Sequence, residues 1–540
     1  MLTLPLEPTD DRANPHFKDA AGCALWLGQL QLTNLQLAHS LLLTQLNELN
    51  RYPMRGLERL RTLELLRETV GYVQDDYAKK LISKPLPLND HELMVFIAIV
   101  QLWQALVLGY QRCLQACIAG DRQLEKYGAL LCQRCLLYSG LEIFEHLRTG
   151  YEFDAKLWQQ LHELYAFAEE HGWQTVDVTD PLNGKQQHNR CSSIYIKTLL
   201  ACYARPAELS RSQLKLLDHW LAQWSDTLTV ERGYTASKGE AQPLAADLSG
   251  TRGLQPVQQT THSDSMRYLA TVPLSKLLRV NIILLQQGQT PQQIGLCAHC
   301  GSDDCLELLA FLHQSWCEDT NVRFSERYPV AHQARLCSKP ESIYAHLSGS
   351  LFKQPKRDGI LGNTARKQIE TFGQVLQNTP GKEPPEKISP LETWQFDNES
   401  ILGARLMRID VFGERLNRNQ LVSLRPGDAD TFMLGATAWV SVTRAGQLQI
   451  GVRYLPGNAE AVSIRATGIN MTVSDTYVPA FLLPAVAALK IPASLIIPRG
   501  WFQPGRVVEV LRQNAEQQDA KMNLSIERGL DYERVSFTLS

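Results

Sequence analysis

Asn398-Glu-Ser400-Ile-Leu-Gly403, taken with Arg323-Phe-Ser-Glu-Arg327, decides how this chain is read. The first stretch is a short polar turn that ends in glycine between two runs of strand character. Asn and Ser side chains bond nearby backbone and fix such a turn, and Gly permits a backbone angle or a close approach closed to other residues. The second stretch sets two guanidinium groups four residues apart, just ahead of the strand-like run at 329–336. An arginine fork bonds bidentately to phosphate oxygens or to a guanine edge, and its plane stacks on a base. Together the two stretches predict a β-barrel whose mouth holds a phosphorylated purine. The bare arginine spacing is common, since Arg51/Arg55 and Arg55/Arg59 repeat it. The pair takes its meaning from its position at the start of the barrel.

Downstream, short alternating runs at 402–409, 420–425, 433–442, 447–454 and 460–466 are separated by Gly413, Pro426-Gly-Asp428, Gly446 and Pro456-Gly457. Strands at that cadence joined by turn residues predict a small antiparallel barrel or sandwich. Residues 476–540 are again β-rich, with Ser494-Leu-Ile-Ile-Pro498, Arg506-Val-Val-Glu-Val510 and Val535-Ser-Phe-Thr538, and either extend the barrel or form a second one.

Upstream the texture is helical. Leu35, Leu42, Leu46 and Leu49 share one helical face between Ala21 and Asn50, and Trp26, Leu30, Leu37 and Leu41 form a second stripe, which predicts packing on two sides. Helices are expected at 55–78, from Asp90 as N-cap to Gly120, and at 123–147, 155–170, 193–204, 211–225, 273–288 and 304–317. Residues 226–265 read as irregular with one or two short strands. The fold class expected is therefore α+β. A helical domain spans 1–225, a mixed and mostly helical connection 226–320, the barrel 321–470, and a β-rich segment 471–540. One insertion is expected at 339–390, with one helix inside it at 365–376.

The arginine pair before a first strand, then Asn-x-Ser-x-x-Gly after a second, resembles the signature of PilZ domains. The runs Leu421-Val-Ser-Leu-Arg-Pro-Gly427, Gly435-Ala-Thr-Ala-Trp-Val440 and Leu448-Gln-Ile-Gly-Val-Arg453 resemble later PilZ strands. The resemblance covers residues 320–468. It implies a six-stranded barrel that binds the second messenger cyclic di-GMP. Arg323 and Arg327 would hold phosphates and guanine, and Asn398, Ser400 and Gly403 would contact the other guanine. Residues 328–397 separate the two motifs, far more than is usual in that family, and Lys353-Gln-Pro-Lys-Arg357 is a rival basic element closer to the turn.

Composition narrows the alternatives. Lys+Arg of 54 against Asp+Glu of 56 leaves a formal charge of -2, without the basic surplus of a general nucleic-acid binder. Hydrophobic residues make up 44% and charged residues 20%, the balance of a globular chain. The N-terminus lacks a basic region leading into an apolar run, so a cytoplasmic protein with reduced thiols at its 12 cysteines is expected. Leu93–Tyr110 is nearly all apolar and reaches the ~18 residues of a membrane span. It has no flanking Lys/Arg cluster and reads as a central buried helix.

Cys297-Ala-His299-Cys300-x4-Cys305 begins a zinc or redox pattern but lacks a second matched pair. Cys113/Cys117 and Cys132/Cys135 lie at different depths of a helical hairpin and read as buried thiols. No nucleophile elbow, phosphate loop, dinucleotide fingerprint or His-Glu-x-x-His is present, so no catalytic residue and no cofactor are assigned. The expectation is a non-enzymatic cyclic di-GMP receptor or adaptor whose helical region meets a protein partner, with no nucleic acid and no stable membrane span. The alternatives are a scaffold with a degenerate barrel, and a zinc- or thiol-dependent enzyme using Cys297, Cys300 and Cys305.

Overall fold

The computed structural model describes residues 8–180, 190–235, 242–297, 300–318, 332–355, 390–467 and 476–539, with isolated positions 2, 4, 6, 182 and 388. The chain divides into two compact units: Met1–Lys84 with Leu88–Arg323, and Pro85–Pro87 with Phe324–Ser540.

The first unit is helical. Its described helices are α1 (Ala20–Gln29), α2 (Leu35–Arg51), α3 (Gly56–Ala78), α4 (Asp90–Ile118), α5 (Gly128–Thr149), α6 (Ala155–Glu170), α7 (Cys191–Tyr203), α8 (Arg211–Trp224), α9 (Val272–Gln286) and α10 (Ser302–Cys317). The expected helix over 21–50 is two helices, because Asn34 caps a new start by accepting the Leu37 amide at 3.1 Å. Leu42, Leu46 and Leu49 are fully buried, whereas Leu37 of the second stripe is 45% exposed, so α2 buries one face. α4 starts one residue away from the expected cap. Asn89 accepts the Glu92 amide at 2.9 Å and Glu92 answers the Asn89 amide at 3.1 Å, a reciprocal box that leaves Asp90 inside the first turn.

α4 is long and apolar enough to cross a membrane by length and composition, and 61% of its most apolar window is buried inside the protein. It packs against α2, α3 and α5. The region read as irregular holds a four-stranded sheet of β1 (Val230–Glu231), β2 (Leu244–Asp247), β3 (Gln255–Pro256) and β4 (Met266–Leu269) in the order β1-β4-β2-β3. Its strands are two to four residues long, too short for period-two alternation to register.

The second unit contains two closed six-stranded barrels. The first joins β5 (Gln333–Cys337), β6 (Glu392–Ser400), β7 (Gly403–Arg408), β8 (Leu421–Pro426), β9 (Met433–Val442) and β10 (Leu448–Tyr454) in the order β10-β7-β6-β5-β8-β9. The second joins β11 (Glu460–Thr467), β12 (Val478–Leu483), β13 (Ser494–Pro498), β14 (Val507–Leu511), β15 (Gln517–Arg528) and β16 (Tyr532–Leu539) in the order β11-β12-β13-β16-β15-β14. β11, expected in the first barrel, pairs with β12 and β14 of the second. Pro456-Gly457 therefore ends one barrel rather than one hairpin.

The interior of the second barrel is apolar, built on Val462, Ile464, Leu495, Val508, Met522 and Val535. A separate core lies between the barrels. Cys337, Leu421, Leu434 and Ala436 of the first meet Ala461, Phe481, Leu483, Ile496 and Tyr532 of the second. Helix α11 (Pro340–Ser348) contributes Ile343 and Tyr344 to that core. The start of the expected insertion at 339–390 is thus a packed element rather than a loop. The expected helix at 365–376 lies outside the described residues. Polar links complete the seam: the Leu421 amide donates to Asp531 Oδ1 at 2.9 Å, and the Leu530 amide to the Asn419 carbonyl at 2.6 Å.

Candidate functional site

The Asn398–Gly403 motif forms the β6–β7 hairpin, with Ser400 opposite Gly403 as the last pair. The turn itself is Ile401-Leu402, which are 83% and 58% exposed, so Asn398 and Ser400 belong to the end of a strand. Ser400 Oγ donates to the Gly403 carbonyl at 3.1 Å and closes the hairpin. A Cβ on Gly403 would lie 2.1 Å from the Val452 carbonyl oxygen. The close approach this glycine permits is that of its neighbour β10.

A bulge at Asp397 shifts the register between Phe396 and Asn398 and sets Asn398 opposite Arg405. Arg405 Nε is 3.1 Å from Asp397 Oδ2, an ion pair, and its Nη2 donates to Gln449 Oε1 at 3.1 Å. Asn398 Nδ2 is 3.4 Å from the same Asp397 carboxylate. Across the next strands Arg405 is followed by Gly451 and then Trp439. A Cβ on Gly451 would be 2.1 Å from Trp439 Nε1, so the glycine makes room for the indole to lie across β10. The Arg405 guanidinium stands 5.9 Å from that indole's centroid. Tyr454 bonds Glu399 beside the hairpin, and burial first, then that carboxylate, pushes the Tyr454 hydroxyl well above its usual range.

The row Asn398–Arg405–Gly451–Trp439 thus offers an amide, a cation and an aromatic plane on one outer face. Sequence reasoning missed Arg405 and Gln449. The Trp-Val and Ile-Gly-Val runs read only as strands in the sequence, and the structure sets the Trp439 indole over Gly451.

Arg323 and Arg327 lie outside the described residues, as do Lys356 and Arg357 of the rival element Lys353–Arg357. The described chain resumes at His332 on the same rim as the hairpin. The His332 carbonyl accepts from the Phe396 amide at 3.2 Å and from Gln395 Nε2 at 3.2 Å, and its ring stands 4.7 Å from the Phe396 ring.

The cysteine motif departs from expectation. Cys300 and Cys305 are joined by a disulfide, so these two are not the reduced thiols expected and are not thiolate ligands while it stands. Cys297 is partly exposed and His299 lies outside the described residues. Cys113, Cys132 and Cys135 are buried free thiols, and burial pushes Cys113 up to about 12.

The fold and rim define a class: a helical domain carried with paired six-stranded barrels, one of which bears a polar hairpin beside an arginine. Two family models match. The N-terminal domain of the cyclic-di-GMP receptor FimW matches residues 21–236, and the FimW C-terminal β-barrel domain matches residues 462–540. Two stretches of the chain are thus similar to FimW domains, and the second of them coincides with the second barrel. Among curated proteins, the cyclic-di-GMP receptor FimW of Pseudomonas aeruginosa is 22% identical over 555 residues, covering 96% of this chain and 90% of the relative. The FimW family is not the PilZ family, and its two models do not cover the first barrel, to which the PilZ resemblance belongs. The PilZ resemblance falls mostly between the two matched stretches, where the structure supplies a closed barrel.

Proposed function

We propose that this chain is a cytoplasmic, non-enzymatic receptor for cyclic di-GMP that acts through a protein partner of its helical region. The observation that carries the reading is similarity along 96% of the chain to a protein named as a cyclic-di-GMP receptor. The first-barrel rim is the proposed site, with Arg323 and Arg327 on phosphate and guanine, and Asn398, Ser400 and Gly403 on the second guanine. Arg327 is five residues before His332, a span of at most about 18 Å of extended chain. His332 is bonded to Phe396, two residues from Asn398. That tether is short enough for Arg327 and the hairpin to meet one ligand. Nucleic acid has no part in this reading.

Isothermal titration with cyclic di-GMP tests it on the wild type and on Arg323→Ala/Arg327→Ala. Saturable heat from the wild type, weakened by at least about tenfold in the double variant, is expected. A silent wild type removes the receptor reading, and an undiminished variant removes the arginine assignment.

A second reading, a scaffold with a degenerate barrel, draws on Ser400 and Gly403 themselves. Both are already used by the hairpin: Ser400 on the Gly403 carbonyl, and Gly403 against Val452. That reading expects no heat with cyclic di-GMP and an intact fold.

A further inference from the structure

Several strand arginines of the second unit meet a carboxylate. Arg405 pairs with Asp397, Arg453 with Glu527, Arg465 with Glu509 and Arg528 with Glu533. Arg335 and Arg425 do not. They sit directly opposite each other on β5 and β8, in the row Thr393–Arg335–Arg425. Among the described residues neither has an acidic partner. Like charges directly opposed on a sheet cost stability, roughly 0.2–1 kcal/mol.

Both side chains are nevertheless held in place. Arg335 Nη1 donates to Thr393 Oγ1 at 2.6 Å. The Arg425 guanidinium stands 5.2 Å from the Phe432 ring centroid, and that ring is 5.6 Å from the His346 ring. Further along the same face, Cys337 and Leu421 turn into the core between the barrels, so the arginines emerge where this face leaves that core. The result is two anchored forks on neighbouring strands, with no carboxylate partner among the described residues.

We propose that Arg335 and Arg425 form an anion site that takes a phosphate group, separate from the hairpin rim and independent of the receptor reading above. Two forks on adjacent strands match the several oxygens of a phosphate better than the two of a carboxylate. A phosphate near neutral pH also carries roughly 1.5–2 negative charges against one, so each cation gains more from it. The phosphate can be free or part of a nucleotide.

The test uses the full chain at low ionic strength, titrated with inorganic phosphate, 5′-GMP and acetate. Wild type, Arg335→Gln/Arg425→Gln and Arg323→Ala/Arg327→Ala are compared. Expected is saturable phosphate binding in the roughly millimolar range, weakened at least about tenfold in Arg335→Gln/Arg425→Gln and unchanged in the other pair. Equal affinity for phosphate and 5′-GMP assigns the site to phosphate alone, and tighter 5′-GMP binding assigns it to a nucleotide. Both support the site only if lost together in Arg335→Gln/Arg425→Gln. Without ligand, that variant melts no lower than wild type, because it relieves repulsion, so a binding loss is not a folding loss. No saturable binding by wild type, undiminished binding by the variant, or equal affinity for acetate overturns the proposal. Cyclic di-GMP binding that depends on Arg323 and Arg327 alone leaves the receptor reading standing in any of those events.

Discussion

Glu142 is buried on α5, and its described partner is the Gln104 amide, which donates to Oε1 at 2.7 Å. Burial pushes its carboxyl up to about 7, with the Gln104 bond opposing. The folded state therefore keeps a proton that the unfolded chain releases near 4.5. The sign follows: the buried acid is harmless below that value, becomes increasingly destabilising as pH rises toward 7, and is fully so above it. The full penalty is about 3 kcal/mol at most. Glu142→Gln keeps the acceptor and removes the charge. It should stabilise the chain by about 1–3 kcal/mol at pH 8 and by less than about 1 kcal/mol at pH 5, read by urea denaturation. An equal effect at both pH values rejects this account. The neighbouring buried ion cluster behaves differently. Arg67 grips Asp180 through Nη1 and Nη2, and Arg134 spans Asp180 and Glu64, so two cations face two carboxylates. Burial pushes the Asp180 and Glu64 carboxyls up, but these bonds outweigh it and hold both below the usual range.

The β6–β7 hairpin shows how an element can carry a motif for its own reasons. β7 runs against β10 with Gly403 opposite Arg453, and the strand spacing there depends on the missing side chain. Gly403→Ala puts a methyl 2.1 Å from the Val452 carbonyl, a backbone atom that cannot swing away. We expect a loss of about 1–3 kcal/mol in unfolding free energy from forcing the strands apart. A purely ligand-facing glycine would instead leave stability unchanged and weaken only nucleotide binding, so a melting curve and a titration separate the two roles. Helix starts teach a similar lesson. Asp90 and Asn89 are both capable caps, and the choice fell to Asn89 because Glu92 stands three residues on and returns the bond.

At the scale of the molecule, the second unit is held by a core that neither barrel contains alone. Phe481, Ile496 and Tyr532 of one barrel and Leu421 and Leu434 of the other are nearly fully buried against each other and against Ile343 of α11. Large apolar side chains of this kind contribute roughly 1.5–3 kcal/mol each when buried. Removal of residues 456–540 should therefore expose the outer face of the first barrel and yield an aggregating, dye-binding product. A soluble, cooperatively melting truncation would show that the first barrel needs no partner.

Most strands were legible because turn residues and period-two alternation are local. The runs at 433–442 and 447–454 correspond to β9 and β10 almost residue for residue. The hairpin was also legible, since Ser, Gly and the flanking strands declare it. The membership of β11 was not, because a strand's alternation states which face is buried and not which neighbour buries it. Nor could the pattern reveal that α11 fills a seam between barrels, that Arg405 answers Asp397 across a bulge, or that Arg335 meets Arg425. The sequence by itself determined the two textures, helical then β, the hairpin and the arginine pair before it, because each is written in neighbouring residues. Only the tertiary structure decided that the β half closes into two barrels and which cations are neutralised. Those outcomes depend on pairing between residues far apart in the chain, whose contact is set by strand register and shared burial.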